Sequence, residues 1–332
     1  MNNYPFKRVL VTGGAGFIGS SFIEQLIHLN SKVEILNIDN VSYSVSNKTI
    51  KLLDKFSNHS HLKIDIANSE SIKKIVREFN PELLINFAAE SHVDNSIDSA
   101  FPFINTNIIG TFNLLESFRE LSSESNRLFH HISTDEVYGD LNFDEDPFNE
   151  LSQYKPSSPY SASKAASDML VLAWGRTHKV PYLITNCSNN FGPRQFTEKL
   201  IPKIIINAMN QENIPVYGDG LNIRDWIFVD DHTKILLKLH MKKIVNDSIN
   251  IGSKCEKSNL EIINAISEIL KEKYSIILQY SFVEDRPGHD KRYAIDMSKA
   301  EKLLNTKIKN KFTSNIEKTV DWYIDNYDWW KN

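Results

Sequence analysis

"VLVTGGAGFIGSSFIEQLI" (Val9–Ile27) decides how the rest of the chain is read. An apolar run, Arg8–Thr12, meets a turn carrying Gly13, Gly16 and Gly19, and an amphipathic stretch, Gly16–Leu29, follows at once. Glycines at that spacing let the backbone turn sharply and approach a pyrophosphate, whose charge then sits at a helix N-terminus. A glycine-rich turn on its own could be purely structural. Here the next apolar run, Val33–Asp39, ends in an acid, and a carboxylate at that point can accept hydrogen bonds from the adenosine ribose. The same carboxylate repels a 2′-phosphate, and Asn40 beside it offers no cation, so the pattern predicts NAD rather than NADP. Asp65 and Ile66, at the end of the third run, are placed to face the adenine edge.

Working outward, apolar runs at Leu62–Ile66, Leu83–Ala89, Leu128–Thr134 and Tyr182–Ser188 alternate with helix-like segments at Ser69–Phe79, Ala100–Leu121 and Ser158–His178. Strands rich in Val, Ile and Leu with helices between them predict a Rossmann-like, doubly wound parallel sheet of α/β class. The polar stretch Gly139–Pro159 reads as a surface loop. After about Ser188 the rhythm changes to loops with Gly and Pro between short helices, which predicts a smaller, loop-rich substrate lobe at the sheet's carboxyl edge. The expected division is a dinucleotide-binding domain over 1–190 and a lobe over 191–332, with segments near 225–253 rejoining the first domain. A chain of 332 residues is long enough for this, and a net charge of −4 argues against a nucleic-acid partner held by bulk electrostatics. Two cysteines, Cys187 and Cys255, make no disulfide framework and no metal spacing. No apolar run approaches the roughly 18 residues of a membrane span. The N-terminus enters a strand within a few residues, leaving no room for a signal peptide. A soluble, cytoplasmic protein is the expectation.

Two further stretches carry chemistry. "PYSASKAASDML" places Tyr160 and Lys164 four residues apart on one helix face. An ammonium and a positively charged nicotinamide ring stabilise a phenolate, so Tyr160 could take a hydroxyl proton while hydride leaves the same carbon. "ISTDEVYG" (Ile132–Gly139) ends a buried run with two adjacent carboxylates, Asp135 and Glu136. Packing does not ask for two acids there, but an elimination needs one acid and one base on either side of the bond being broken.

The glycine turn with Tyr160-x-x-x-Lys164 resembles the extended short-chain dehydrogenase/reductase superfamily. Over nearly its whole length the chain resembles the dTDP-glucose 4,6-dehydratase family, through "TGGAGFIGS", "NFAAESHVDNSI", "STDEVYGD", "PYSASKAASD", "TNCSNNFGPRQFTEKLIP", "GDGLNIRDWIFVDDH" and "DRPGHDKRYAID". The resemblance implies oxidation of a hexose at C4, loss of water across C5–C6 and return of hydride to C6. It gives Asp135 the part of general acid at C6, Glu136 that of base at C5 and Thr134 a hydrogen bond near the C4 oxygen. Tyr160 and Lys164 serve the hydride chemistry. It also implies a homodimer built on Ala100–Leu121 and Ser158–His178.

For the cofactor, the expected contacts are Gly13, Gly16, Phe17, Ile18 and Gly19 at the turn, then Asp39, Asn40, Val41 and Ser42 after the second run. Asp65, Ile66, Phe87, Ala88, Ala89, Glu90, Ser91, Thr106 and Asn190 complete that set with Tyr160 and Lys164. For a nucleotide sugar, Ser91, His92 and Thr134 border the sugar. The resemblance adds Asn189, Lys199, Leu200, Pro215, Val216, Tyr217, Arg224 and Asn259, and the run Asp285, Arg286, Pro287, Gly288 and His289. Arg224, Arg286 and Lys199 supply positive charge for a diphosphate, and Tyr217 could lie against a base ring. Each could also be ordinary packing or an ion pair, such as Arg224 with Asp225.

Asn95 stands where the family commonly shows a cation, and Phe191 and Arg194 where it shows tyrosines, so dTDP, UDP and CDP remain alternatives. The rivals are a UDP-glucose 4,6-dehydratase, a UDP-sugar 4-epimerase or decarboxylase, and a non-catalytic NAD-sensing regulator. The Asp135–Glu136 pair discriminates, because C4 chemistry alone does not need it. His130 and His131 read as packing residues rather than metal ligands, Cys187 as inert, and Trp322, Trp329 and Trp330 as anchors of a terminal helix.

Overall fold

A computed structural model of the chain describes residues 4–122, 126–285 and 287–330. Six strands come first: β1 (Arg8–Thr12), β2 (Glu34–Asp39), β3 (His59–Lys63), β4 (Leu83–Asn86), β5 (Leu128–Thr134) and β6 (Tyr182–Cys187). Six more follow: β7 (Asn189–Phe191), β8 (Ile214–Tyr217), β9 (Ile223–Phe228), β10 (Asp247–Ile251), β11 (Glu256–Ser258) and β12 (Tyr280–Val283). Seven of them form a parallel sheet in the order β10-β6-β5-β4-β1-β2-β3. That is the doubly wound order, with its reversal between β1 and β4.

Alternation along β1 shows how the two faces fill. Val9 and Val11 join Phe22, Ile23 and Leu26 of the helix Phe17–Leu29, together with Leu236 and Leu239 of Val229–Met241. Leu10 turns the other way, to Ile72, Leu114, Phe118, Phe129 and Val171, from the helices Ser69–Phe79, Thr111–Arg119 and Pro159–His178 and from β5. Every residue of β5 is buried, as expected of a strand covered on both faces. A separate apolar cluster around Ile204, Trp226, Phe228, Ile266 and Phe312 holds the sheets β11-β9-β7 and β12-β8.

Three expected elements differ. The third strand lies three residues earlier than Leu62–Ile66, because it is the half-exposed sheet edge and its inward Ile66 belongs to the chain beyond it. The expected helix over Ala100–Leu121 is broken by a π-helical segment, Ile104–Gly110. Near Trp226 the strand β9 leaves the main sheet for β7 and β11, while the helix after it returns, Ser21 Oγ donating to Asp230 at 2.9 Å. Trp322 and Trp329 pack edge to face at the chain's end.

Beneath the sheet lies a closed polar chain. Tyr4 meets His240 at 2.6 Å, His240 meets His130 at 2.8 Å, and His130 meets Thr185 at 3.1 Å. Burial holds both imidazoles neutral, His240 down to about 3. A folded-state pKa below the unfolded 6.5 means that the unfolded chain binds the extra proton, so this stability is complete above about pH 6.5 and is lost as pH falls toward 3. Denaturant titrations from pH 7 to pH 4 should therefore show a falling midpoint. Replacing His240→Gln should flatten the fall by up to about 1.4 kcal/mol per pH unit, and an unchanged slope would exclude this origin.

Candidate active site

The first crossover is shaped by close approach. Gly13 has φ +67°, and a Cβ there would lie 2.6 Å from the Ala88 nitrogen. A Cβ on Gly19 would lie 2.4 Å from the Gly13 carbonyl, so helix and turn touch backbone to backbone. Gly16 caps the helix Phe17–Leu29 with no side-chain hydrogen bond and no acid in the first turn, which leaves the positive helix end without an acid of its own. Asp39 is buried and binds the turn itself, accepting from Ala15 N at 3.1 Å and Val41 N at 2.8 Å. Burial pushes its carboxyl up and those two N–H groups pull it down.

One cleft runs along the carboxyl ends of β1, β2, β4, β5 and β6. It is lined by Gly13, Gly16, Phe17, Ile18 and Gly19, by Asp39, Asn40 and Ser42, and by Asp65 and Ile66. Phe87, Ala88, Ala89, Glu90, Ser91, Thr106 and Asn190 continue it toward Thr134, Asp135, Glu136, Tyr160 and Lys164, and Asn189 and Lys199 close it. Val41 lies just outside this lining, at φ +54°. Tyr43, Cys187, Ser188, Gln195, Phe196 and Glu198 also line the cleft and were not expected. Asn107 was missed as well: from the π-helical segment it accepts from Glu90 N at 2.9 Å and donates to Glu90 O at 3.0 Å and Ser163 Oγ at 2.8 Å. The wide turn sets it there, and helical periodicity gives no warning of such a turn.

At the far end, β5 finishes in Thr134, whose hydroxyl accepts from Glu136 N at 3.3 Å and opens the short helix Asp135–Tyr138. This turn buries Asp135 and leaves Glu136 half-exposed. Burial, then the charges of Glu136 and Asp225, drive the Asp135 carboxyl well above the usual range against Arg224 and a hydrogen bond from Thr134. The helix opposite starts with a reciprocal cap: Ser158 Oγ accepts from Ser161 N at 3.1 Å, and Ser161 Oγ accepts from Ser158 N at 3.0 Å. It carries Tyr160 and Lys164. Lys164 is buried and donates to the Ile132 carbonyl at 2.8 Å.

The lowered pKa expected of the Tyr160 phenol is one with the positively charged nicotinamide ring beside it; in the protein alone the phenol is raised. Burial, then Glu136 and Cys187, raise it, with a hydrogen bond involving Thr134 pulling the other way. Burial pushes the Cys187 thiol up to about 12, which leaves it unreactive.

None of the remaining expected residues among those described lines this cleft. His92 caps the helix Val93–Asp98, its Nδ1 accepting from Asn95 N at 3.3 Å, and Leu200 opens the helix Leu200–Met209. Pro215, Val216 and Tyr217 lie on β8, which pairs with β12 and so adjoins Asp285; Asp285 in turn meets His289 at 2.6 Å. Pro287 and Gly288 lie in the turn between them, and Asn259 opens the helix Asn259–Tyr274. Arg286 lies outside the described residues. Arg224 is buried on β9, stacked 4.2 Å from the Tyr293 ring centroid and donating to the carbonyls of Ile223 and Asp290. It does not pair with Asp225, whose oxygens accept from Ser253 N and Cys255 N.

A parallel sheet with a glycine crossover, an acid ending its second strand and a tyrosine–lysine helix over its fifth define a dinucleotide-dependent enzyme of the short-chain dehydrogenase/reductase type. The turn suits NAD: Gly13 and Gly19 let the backbone of the turn pack directly on Ala88 and on the helix, where a side chain would clash, and Asp39 lines the same cleft. The model of the GDP-mannose 4,6 dehydratase family matches residues 10–319. The dTDP-glucose 4,6-dehydratase of Neisseria meningitidis is 45% identical over 98% of this chain and 96% of its own. The structure of the enzyme of that name from Bacillus anthracis, in complex with NAD, superposes with TM-score 0.87 at 38% identity, covering 98% of each chain. That from Streptomyces venezuelae, with NAD and dTDP bound, gives 0.90 at 35% over 98% of this chain and 99% of that one. This chain belongs to the GDP-mannose 4,6 dehydratase family, in its dTDP-glucose 4,6-dehydratase group.

Replacing Gly13→Ala would force a side chain into the left-handed region and against the Ala88 backbone, at a cost of about 1–3 kcal/mol. NAD affinity measured by calorimetry should fall at least about tenfold, with a lower melting temperature; unchanged binding would mean that the turn does not set the cradle.

Proposed function

We propose that this chain is an NAD-dependent dTDP-glucose 4,6-dehydratase, oxidising C4, eliminating water across C5–C6 and restoring its cofactor in each turnover. The observation that carries this reading is the pair Asp135–Glu136 on one short turn, one member buried and held toward its neutral form, the other half-exposed, both lining the cleft with Tyr160. NAD, when bound, supplies the hydride acceptor for C4, the hydride donor for C6 and a positive ring. The chain's own residues handle protons. Tyr160, with Thr134 hydrogen-bonding near the same oxygen, takes the proton of the C4 hydroxyl, and Lys164 stabilises the phenolate. The C4 ketone acidifies C5, from which Glu136 removes a proton, while Asp135 donates one to the departing C6 hydroxyl. Proton return to C5 completes the product, dTDP-4-keto-6-deoxyglucose.

On the nucleotide side, Lys199 and Arg224 are assigned to the diphosphate, and Tyr217 with Asp285–His289 to the rim. Arg224 suits this because its hydrogen bonds among the described residues go to the carbonyls of Ile223 and Asp290 rather than to a carboxylate. The proposed division at residue 190 is supported by β10 pairing with β6 and by the helix Val229–Met241 packing on Phe17–Leu29, both of which return later chain to the first domain. A homodimer is supported by exposed Phe101, Ile104, Phe112 and Met169 on the two long helical segments. Among the described residues no helix is long and apolar enough to cross a membrane. Free, buried Cys187 and Cys255 suit a reducing cytoplasm.

Incubation with dTDP-glucose should give a product with the alkaline absorbance of a 4-keto-6-deoxy sugar; steady NADH release or a C4 epimer would overturn the reading. Glu136→Gln should form enzyme-bound NADH in a single turnover yet lose elimination by about 10²-fold or more. Tyr160→Phe should form no NADH at a comparable rate. Sedimentation at micromolar concentration should give a dimer, and a monomer there would refute the helical interface.

A further inference from the structure

Behind Tyr160 and Lys164 lies a buried polar cluster that the mechanism above does not use. Asp168 follows Lys164 by one helical turn and is wholly buried. Its Oδ2 accepts from Ser133 Oγ at 2.8 Å, Tyr154 OH at 3.0 Å and Asn186 Nδ2 at 3.3 Å. Its Oδ1 is buried without a hydrogen bond and lies 3.4 Å from His131 Nε2, and Lys164 Nζ lies 3.4 Å from the same nitrogen.

Proton ownership in this triangle follows from its neighbours. Thr12 Oγ1 accepts from Ala88 N at 3.3 Å, so its own hydrogen goes to Asn86 Oδ1 at 2.5 Å. That fixes the Asn86 amide and points its Nδ2 at Thr111 Oγ1, 3.2 Å, and at His131 Nδ1, 3.3 Å. His131 Nδ1 is therefore an acceptor, and burial keeps the ring neutral, so Nε2 carries the hydrogen. An N–H cannot accept from the Lys164 ammonium. Of its two neighbours only Asp168 Oδ1 can receive it.

We propose that Asp168, oriented by Tyr154, Ser133 and Asn186 and facing the His131 N–H, is a positioning residue that keeps Lys164 cationic and thereby sets the ionisation of Tyr160. Desolvation works against a buried ammonium, and Asp168 is the leading group that opposes it; the other groups facing Lys164 are His131 on β5 and Cys187 on β6. Asp168 itself, raised by burial to about 6 against the pull of Lys164, is ionised at neutral pH. Its other titratable neighbours are Tyr154 and Tyr138. The groups that act most on the phenol in the protein alone are Glu136, Cys187, Thr134 and Asp135; the proposed route from Asp168 runs through Lys164, which lines the same cleft one helical turn from Tyr160.

The inference rests on the assignment of Tyr160 as the base, but its test needs no sugar nucleotide. The NAD-loaded protein is titrated with alkali and the phenolate of Tyr160 followed by ultraviolet absorbance, with the Tyr160→Phe protein as blank. Asp168→Asn should move the midpoint up by about one pH unit or more, Asp168→Glu should restore it, and Tyr154→Phe, which removes one donor to the carboxylate, should move it up by less. With dTDP-glucose, the acid limb of NADH formation should shift in parallel, a loss of about tenfold per unit below the limb, while KM stays within about twofold. Midpoints unmoved in Asp168→Asn and Tyr154→Phe, whatever happens to kcat, overturn the proposal. If Asp168→Asn does not fold, an unmoved Tyr154→Phe midpoint alone does so. Because the phenolate is read without substrate, failure here is separable from failure of the dehydratase reading, which would show as wild-type protein that titrates as described and leaves dTDP-glucose unchanged.

Discussion

The bond from Lys164 Nζ to the Ile132 carbonyl, 2.8 Å long and buried, ties the helix Pro159–His178 to β5. A desolvated ammonium costs several kcal/mol unless it is paired and hydrogen-bonded, so this contact cannot be given up cheaply. It joins the two elements that carry the chemistry: Tyr160 stands one turn before Lys164, and Thr134 follows Ile132 by two residues. The acid pair then has little freedom, because Thr134 caps the very turn on which Asp135 and Glu136 stand. One buried cation thus sets the spacing between the proposed redox base and the proposed elimination pair.

The same burial separates the roles of two chemically identical side chains. Adjacent carboxylates cannot both take the ionised form easily, and the one more removed from water yields first. Asp135 is the buried member, with Glu136 and Asp225 adding to the penalty and only Arg224 and Thr134 relieving it. Asp135 Oδ2 is buried with no hydrogen-bond partner among the described residues, which suits a carboxylic acid whose donor hydrogen is meant for a ligand. Arg224 limits how far the effect goes. Its charge acts on Asp135, and it is the same charge proposed for the diphosphate.

What the amino-acid pattern conveyed follows from where water is excluded. β5 was legible to the residue, because a strand buried on both faces leaves an unbroken apolar run. β3 was misplaced by three residues because at a half-exposed edge the apolar residues belong partly to the turn beyond. The glycine turn, Asp39 and the pair Tyr160 and Lys164 were legible because their chemistry demands residue types at fixed spacing. Asn107 and Asp168 were not. A π-helical segment changes which residues face inward, and a buried carboxylate reads in sequence like any exposed one. The assignments of Tyr217, Arg224 and Asp285 came from resemblance alone, since partners so distant along the chain leave no local signature.

The fold itself does not choose the reaction. A doubly wound sheet with a tyrosine and a lysine over β5 provides hydride exchange at one carbon, which an epimerase, a decarboxylase and a dehydratase all require. In the proposed mechanism the choice is made in the three residues after Ser133. Asp135 needs depth to keep a proton, Glu136 needs access to lose one, and a short helical turn just past the strand provides both, since consecutive side chains there point in different directions. A strand continuing straight would have put the two acids on opposite faces of the sheet, with one of them outside the cleft. In that mechanism the Thr134 cap that ends β5 is as much a condition for elimination as the acids themselves, because it turns the chain where the pair would diverge around a single carbon–carbon bond.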